Sequence, residues 1–117
     1  MTAEAFLKLP PSESCRRIEF ENAEVRPGFV SNTYFLIVTG NASCMNMQVR
    51  LEPRIYIQQP EYWGIEVVGC LTGSVCLPAQ LPFLESIPLE GITGTKGIEV
   101  VGATHTEKID VPPKSAK

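Results

Sequence analysis

The stretch CMNMQVRLEPRIYIQQ, residues 44–59, decides the fold class. From Met45 to Gln58 its odd positions read Met45, Met47, Val49, Leu51, Pro53, Ile55 and Ile57. Its even positions read Asn46, Gln48, Arg50, Glu52, Arg54, Tyr56 and Gln58. Successive side chains of a strand point to opposite faces, so a period of two puts one face in a core and the other in water. The segment is therefore a half-buried strand with its Met, Val, Leu and Ile side inward. Pro53 has no N–H to give to a ladder, so it marks an edge, a bulge or a break into two strands.

The same period extends to either side. In RIEFENAEV, 17–25, Ile18 and Phe20 alternate with Arg17, Glu19 and Glu21. The apolar parity then moves to Ala23 and Val25, which predicts a bulge near Asn22. TYFLIV, 33–38, is apolar on both faces and reads as a central strand. Ile109 and Val111 alternate with Lys108 and Asp110. The hexapeptide GIEVVG occurs twice, at 64–69 and 97–102. Each copy is a short strand bracketed by glycines, with Ile65 and Val67, and Ile98 and Val100, on the core face. The copies are one strand recipe used twice rather than a duplicated site. They share a single polar side chain, and their flanks, CLTG and ATHT, differ. Turn chemistry separates the runs at Arg26-Pro27-Gly28, Thr39-Gly40-Asn41, Gln59-Pro60, Gly91 and Gly94.

Six to eight short strands with frequent turns predict an all-β protein. The expected architecture is an antiparallel β-sandwich of immunoglobulin or fibronectin kind with about seven strands, with a small β-barrel as the alternative. The resemblance is one of pattern: the Cys…Trp…Cys spacing of immunoglobulin domains is absent, since the sole tryptophan, Trp63, follows Cys44. Residues 1–14 form an N-terminal arm or short helix closed by Pro10-Pro11, residues 15–111 a single domain, and residues 112–117 a disordered tail.

A chain of 117 residues supports one core, and 44% apolar with 20% charged residues is ordinary for a soluble globular protein. The net charge of −3 and the pI near 5.1 argue against a nucleic-acid binder. Between Ile55 and Thr95 every charged residue is acidic: Glu61, Glu66, Glu85 and Glu90. No apolar run approaches the roughly 20 residues of a membrane span. The start MTAEAFLKLPP lacks the form of a signal peptide, so the default compartment is the cytoplasm and a mature secreted form is the alternative. Asn41-Ala42-Ser43 is a glycosylation sequon.

The four cysteines are Cys15, Cys44, Cys70 and Cys76. In CLTGSVC an odd loop at 72–74 would oppose Cys70 to Cys76 within disulfide reach. A two-residue loop at 73–74 would oppose Cys70 to Leu77 instead. Cys15 and Cys44 read as small packing residues. No zinc knuckle is present, and His105 is the sole histidine. Glu19 and Glu21 share one parity, beside Glu24, as on a solvated face. GITGTKG, 91–97, opens no helix and reads as a turn rather than a phosphate loop. No catalytic residue, metal ligand or cofactor is assigned.

The segment LPAQLPFLESIPLEGI, 77–92, is too apolar for a flexible loop and too rich in proline for a regular element. At most one helical turn fits between Pro82 and Ser86. The leading expectation is a non-enzymatic interaction module that binds another protein or self-associates through this segment. Leu81, Phe83 and Leu84 would make the contact, with Tyr62 and Trp63 beside them. The alternative is a small-molecule or carbohydrate-binding sandwich using Tyr56, Tyr62 or Trp63 as platforms and Arg54, Gln58 or Gln59 as polar partners. A third is a thiol-redox protein using Cys70 and Cys76.

Overall fold

The computed structural model describes residues 13–73 and 75–112. Among them are eight strands and no helix: β1 Glu13–Arg17, β2 Asn22–Pro27, β3 Tyr34–Cys44, β4 Met47–Pro53, β5 Tyr62–Thr72, β6 Pro78–Pro88, β7 Gly97–Val101 and β8 Thr106–Asp110. The arm expected over 1–14 lies outside the described residues except for Glu13 and Ser14, which open β1. Of the expected tail only Pro112 is described.

The strands form two sheets that do not close into a barrel. In the larger, β5 is the hub. Antiparallel β4 runs along one of its edges. The other edge is shared: β7 lies parallel to residues 62–66, β1 antiparallel to 68–72, and β8 continues beyond β7. The smaller sheet has the order β2-β3-β6, so TYFLIV opens its central strand. Leu36 and Val38 of this sheet face Ile65, Val67, Ile98 and Val100 of the other, and all six are fully buried. Burial of such side chains is worth about 1.5–3 kcal/mol each, before the opposing chain entropy.

The two GIEVVG copies are thus neighbours, and they pair in parallel rather than antiparallel fashion. Ile65 lies opposite Val100, not Ile98. Parallel neighbours need a crossover connection. Here it is β6, which visits the smaller sheet between β5 and β7.

Three local expectations are corrected. The parity shift near Asn22 is a change of sheet, not a bulge. The Ile18 N–H still donates to Val67 of the larger sheet at 2.9 Å, whereas the Glu21 N–H donates to Thr39 of the smaller one at 2.8 Å. Phe20 turns inward between them and is buried. The long alternation also outlasts its strand. β4 ends at Pro53, the Arg54 N–H makes a last bond to Gly64, and Ile55 and Ile57 emerge fully exposed at 96% and 104%.

The segment 77–92 is likewise not a loop: most of it is the edge strand β6, whose register with β3 shifts once, between Ala42 and Cys44. The Leu89 N–H points to Tyr34 on β3, so odd-numbered amides face the partner and even-numbered ones face away. Pro82 and Pro88 therefore lack N–H groups only where none is needed. A proline-bearing edge strand also resists pairing with other chains.

All four cysteines are bridged, but not as CLTGSVC suggested. Cys70 pairs with Cys15 directly across the β1–β5 ladder, and Cys76 pairs with Cys44 at the end of β3. β5 and β6 do not form a hairpin: they lie in different sheets, so no ladder opposes Cys70 to Cys76. Peptide mapping without reductant, with cleavage after Leu71 to separate Cys70 from Cys76, is expected to recover Cys15–Cys70 and Cys44–Cys76 links only. Replacing Cys15 and Cys70 by serine opens a 55-residue closure. The expected loss in denaturant unfolding is about 4 kcal/mol.

Candidate functional site

Three connections leave the sheets at the same end: 28–33 between β2 and β3, 54–61 between β4 and β5, and 89–96 between β6 and β7. They enclose a cleft of about 630 Å³. That is within the size range of binding pockets. Its floor includes Tyr34, Trp63, Leu89 and Val111, of which Leu89 and Val111 belong to the core. Tyr56 and Ile57 form one wall, Asn32 and Thr33 another, and among the described residues Glu90 is the sole charged one lining it.

Two of the loops are pinned to each other. The N–H groups of Thr95 and Lys96 donate to the carbonyls of Pro60 and Glu61 at 2.9 and 2.8 Å, and Gln59 Nε2 donates to the Thr93 carbonyl at 2.8 Å. Gly94 permits this approach, since a Cβ there would overlap the Glu61 carbonyl. The third loop is a tight turn. The Gly28 N–H donates to Thr33, the Thr33 N–H to Val30, and Asn32 takes the left-handed conformation that asparagine tolerates.

The polar groups of the walls are mostly engaged internally. Trp63 Nε1 donates to the Arg54 carbonyl at 2.9 Å, and its ring packs edge-on to Tyr56 at 5.0 Å. The Tyr56 hydroxyl accepts from the Gly64 N–H at 3.1 Å, an approach that a Cβ at Gly64 would block. Thr93 Oγ1 donates to the Leu89 carbonyl and Thr33 Oγ1 to the Val30 carbonyl. What the cleft offers is mainly apolar surface. Apolar tips crown the end: Phe29 at 109% exposure and Val30 on one loop, Ile55 and Ile57 on another.

The residues expected to make one partner surface are not brought together. Trp63 lines the cleft, but Tyr62 points the other way, donates to Asp110 at 2.6 Å and sits under Lys108. The bond to Asp110 keeps the Tyr62 hydroxyl protonated above its ordinary pKa. Phe83 packs against the core, whereas Leu81 and Leu84 are exposed on β6. Of the expected small-molecule set, Tyr56, Trp63 and Gln59 line the cleft. Arg54 is tied to Glu66 at 3.0 Å, a pairing that holds its guanidinium charged, and Gln58 is exposed. Phe29 and Val30 join the site without having been expected from the sequence. Their signal was an apolar pair placed directly after the Pro27-Gly28 turn.

A second cluster lies at the sheet crossing. Glu19 accepts from Thr104 and meets His105 Nδ1 at 3.1 Å, while the His105 ring stacks on Phe20 at 4.4 Å. These contacts latch the segment after β1 to the turn between β7 and β8. Neither Glu21 nor Glu24 joins them: Glu21 accepts from Asn41, and Glu24 pairs with Arg26.

Comparison with protein-family models, curated proteins and solved structures returns no match. The geometry alone therefore carries the functional argument.

The Thr104 hydroxyl, and secondarily His105, hold the Glu19 carboxyl below its ordinary pKa of 4.5. A carboxylate depressed on folding stabilises above its unfolded pKa, and that contribution is lost as pH falls through the folded value. Thermal unfolding followed from neutral pH to below 4.5 is expected to show a steeper acid loss for the native protein than for Glu19→Gln. Parallel curves would contradict the latch.

Proposed function

We propose that the chain is a non-enzymatic recognition module of an oxidising compartment, and that it engages a partner protein through the loop-end cleft. The carrying observation is the concave apolar cleft crowned by exposed Phe29, Val30, Ile55 and Ile57. Exposed apolar clusters of this kind mark interaction surfaces rather than solvent-facing ones. The loops around them are pinned by backbone bonds, so little ordering cost opposes binding. The two sheets are read as an immunoglobulin- or fibronectin-like sandwich, in which loops gathered at one end carry recognition. Two disulfides that use every cysteine support the compartment, because such bridges persist where thiols are kept oxidised.

The contact surface is thereby moved from 77–92 to the loop end, with Trp63 retained. The occupant that fits is a protein segment presenting an aromatic or branched aliphatic side chain. A sugar needs donors and acceptors from the walls, and those of Tyr56, Trp63, Gln59 and Thr93 are already engaged. An anionic lipid or phosphate finds no Lys or Arg among the described lining residues.

Trp63 is the only tryptophan and lines the cleft, so its emission reports occupancy. Peptides selected from a random displayed library are expected to share an aromatic or aliphatic anchor and to shift that emission. Ile57→Asp should weaken them about tenfold or more, the loss expected at an interface hot spot, and Leu84→Asp should not. Selected peptides that bind Ile57→Asp as well as the native protein would remove the proposal. So would a Trp63 response confined to sugars.

A further inference from the structure

We infer that the partner of the cleft is a second copy of this chain, received head to tail. This inference rests on the cleft being a protein-recognition site and adds the identity of the occupant. The molecule is elongated, with a longest extent of 57 Å. β3 runs from Tyr34, on the cleft floor, to Cys44 at the far end, a span of about 33 Å at ~3.3 Å per residue. The far end is the counterpart of the cleft: a tip bearing exposed Met45, Val75 and Leu77.

A disulfide and three hydrogen bonds among the described residues tie the tip together. The Cys44–Cys76 bridge ties the end of β3 to the approach to β6. The Met45 N–H donates to Leu77 at 2.7 Å, Asn46 Nδ2 donates to the Val75 carbonyl at 2.8 Å, and Asn46 Oδ1 accepts from the Leu77 N–H at 3.1 Å. A fixed apolar knob thus stands at one end of the chain and an apolar hollow at the other.

Charge supports the same orientation. In the larger sheet, the half next to the tip carries Arg16, Arg17 and Arg50 against Glu13. The half next to the cleft carries Glu52, Glu66, Glu99, Glu107 and Asp110 against Lys108. Of the described loop residues at the cleft end, Arg54, Glu61, Glu90 and Lys96 cancel, and in the smaller sheet Glu24 and Arg26 cancel while Glu85 adds to the half next to the cleft. Tip to cleft therefore brings a net basic half against a net acidic one, whereas cleft to cleft or tip to tip opposes like charges. A contact between two different surfaces does not close on itself as a two-fold dimer does, so it propagates into rings or filaments.

Sedimentation velocity on the full chain tests this. The native protein is expected to grow in mass beyond a dimer as concentration rises from micromolar upward, and to dissociate as salt screens the charge term. Ile57→Asp spoils the hollow and Leu77→Asp the knob, so each variant alone should stay monomeric. Mixed one to one, they should form a dimer and nothing larger, because one intact hollow and one intact knob remain. Trp63 emission and thermal unfolding check that both variants are folded, and Val75→Asp replaces Leu77→Asp if it is not. A native protein that stays monomeric, or stops at a dimer, overturns the inference, as does a mixture that stays monomeric. A monomeric native protein that still binds apolar peptides at the cleft overturns self-assembly and leaves the recognition proposal intact. Loss of both removes both.

Discussion

Ile65, Val67, Ile98 and Val100 stand side by side on the adjacent parallel strands β5 and β7, all fully buried against Leu36 and Val38. The rest of the molecule is arranged around this contact. Because β7 occupies only the first half of the β5 edge, the second half is left for β1, where Cys15 meets Cys70. Because the two strands run in the same direction, the loops that lead into them, 54–61 and 89–96, emerge together. The cleft is a consequence of that alignment. The bonds from Thr95 and Lys96 to Pro60 and Glu61 continue the pairing past the ends of the strands.

The two ends of the paired sheets are stabilised by different means. At the cleft end, the chain relies on backbone hydrogen bonds, a close glycine approach at Gly94 and side chains whose polar atoms are turned inward. At the tip, the Cys44–Cys76 bridge and the Met45–Leu77 backbone bond carry the β3–β6 pairing past its irregularity near Cys44, just where the chain crosses from β3 to β4 of the other sheet in two residues. Both devices keep apolar groups exposed in a fixed geometry, and that is the condition for selective contact rather than nonspecific adhesion.

The class of fold and much of the core were legible in the sequence, because period-two alternation depends only on the two faces of a strand. Val49, Ile65, Val67, Ile98 and Val100 were placed inward by parity alone, and all are buried. Parity says nothing about which strands are neighbours. The Cys70–Cys76 expectation assumed that β5 and β6 form a hairpin, and the sheet change between them removed its basis. Pattern also persists where structure stops: Ile55 and Ile57 keep the alternation of β4 but lie beyond Pro53, in water. The prolines of 77–92 argued against a strand only because edge and interior strands look alike in one dimension. The cleft was half legible. Tyr56, Trp63 and Gln59 were named together from one stretch of chain, whereas Tyr34, Leu89 and Val111 join them only through the tertiary fold.

If the shared alignment of β5 and β7 creates the loop-end cleft, then the register of those two strands is the quantity to measure. Cross-strand NOEs in solution read it directly. The structure predicts contacts of parallel strands that link Trp63 with Ile98 and Ile65 with Val100. Contacts pairing the two GIEVVG copies residue for residue, Ile65 with Ile98, or the close Hα–Hα contacts of an antiparallel pair, would contradict it and remove the cleft with it.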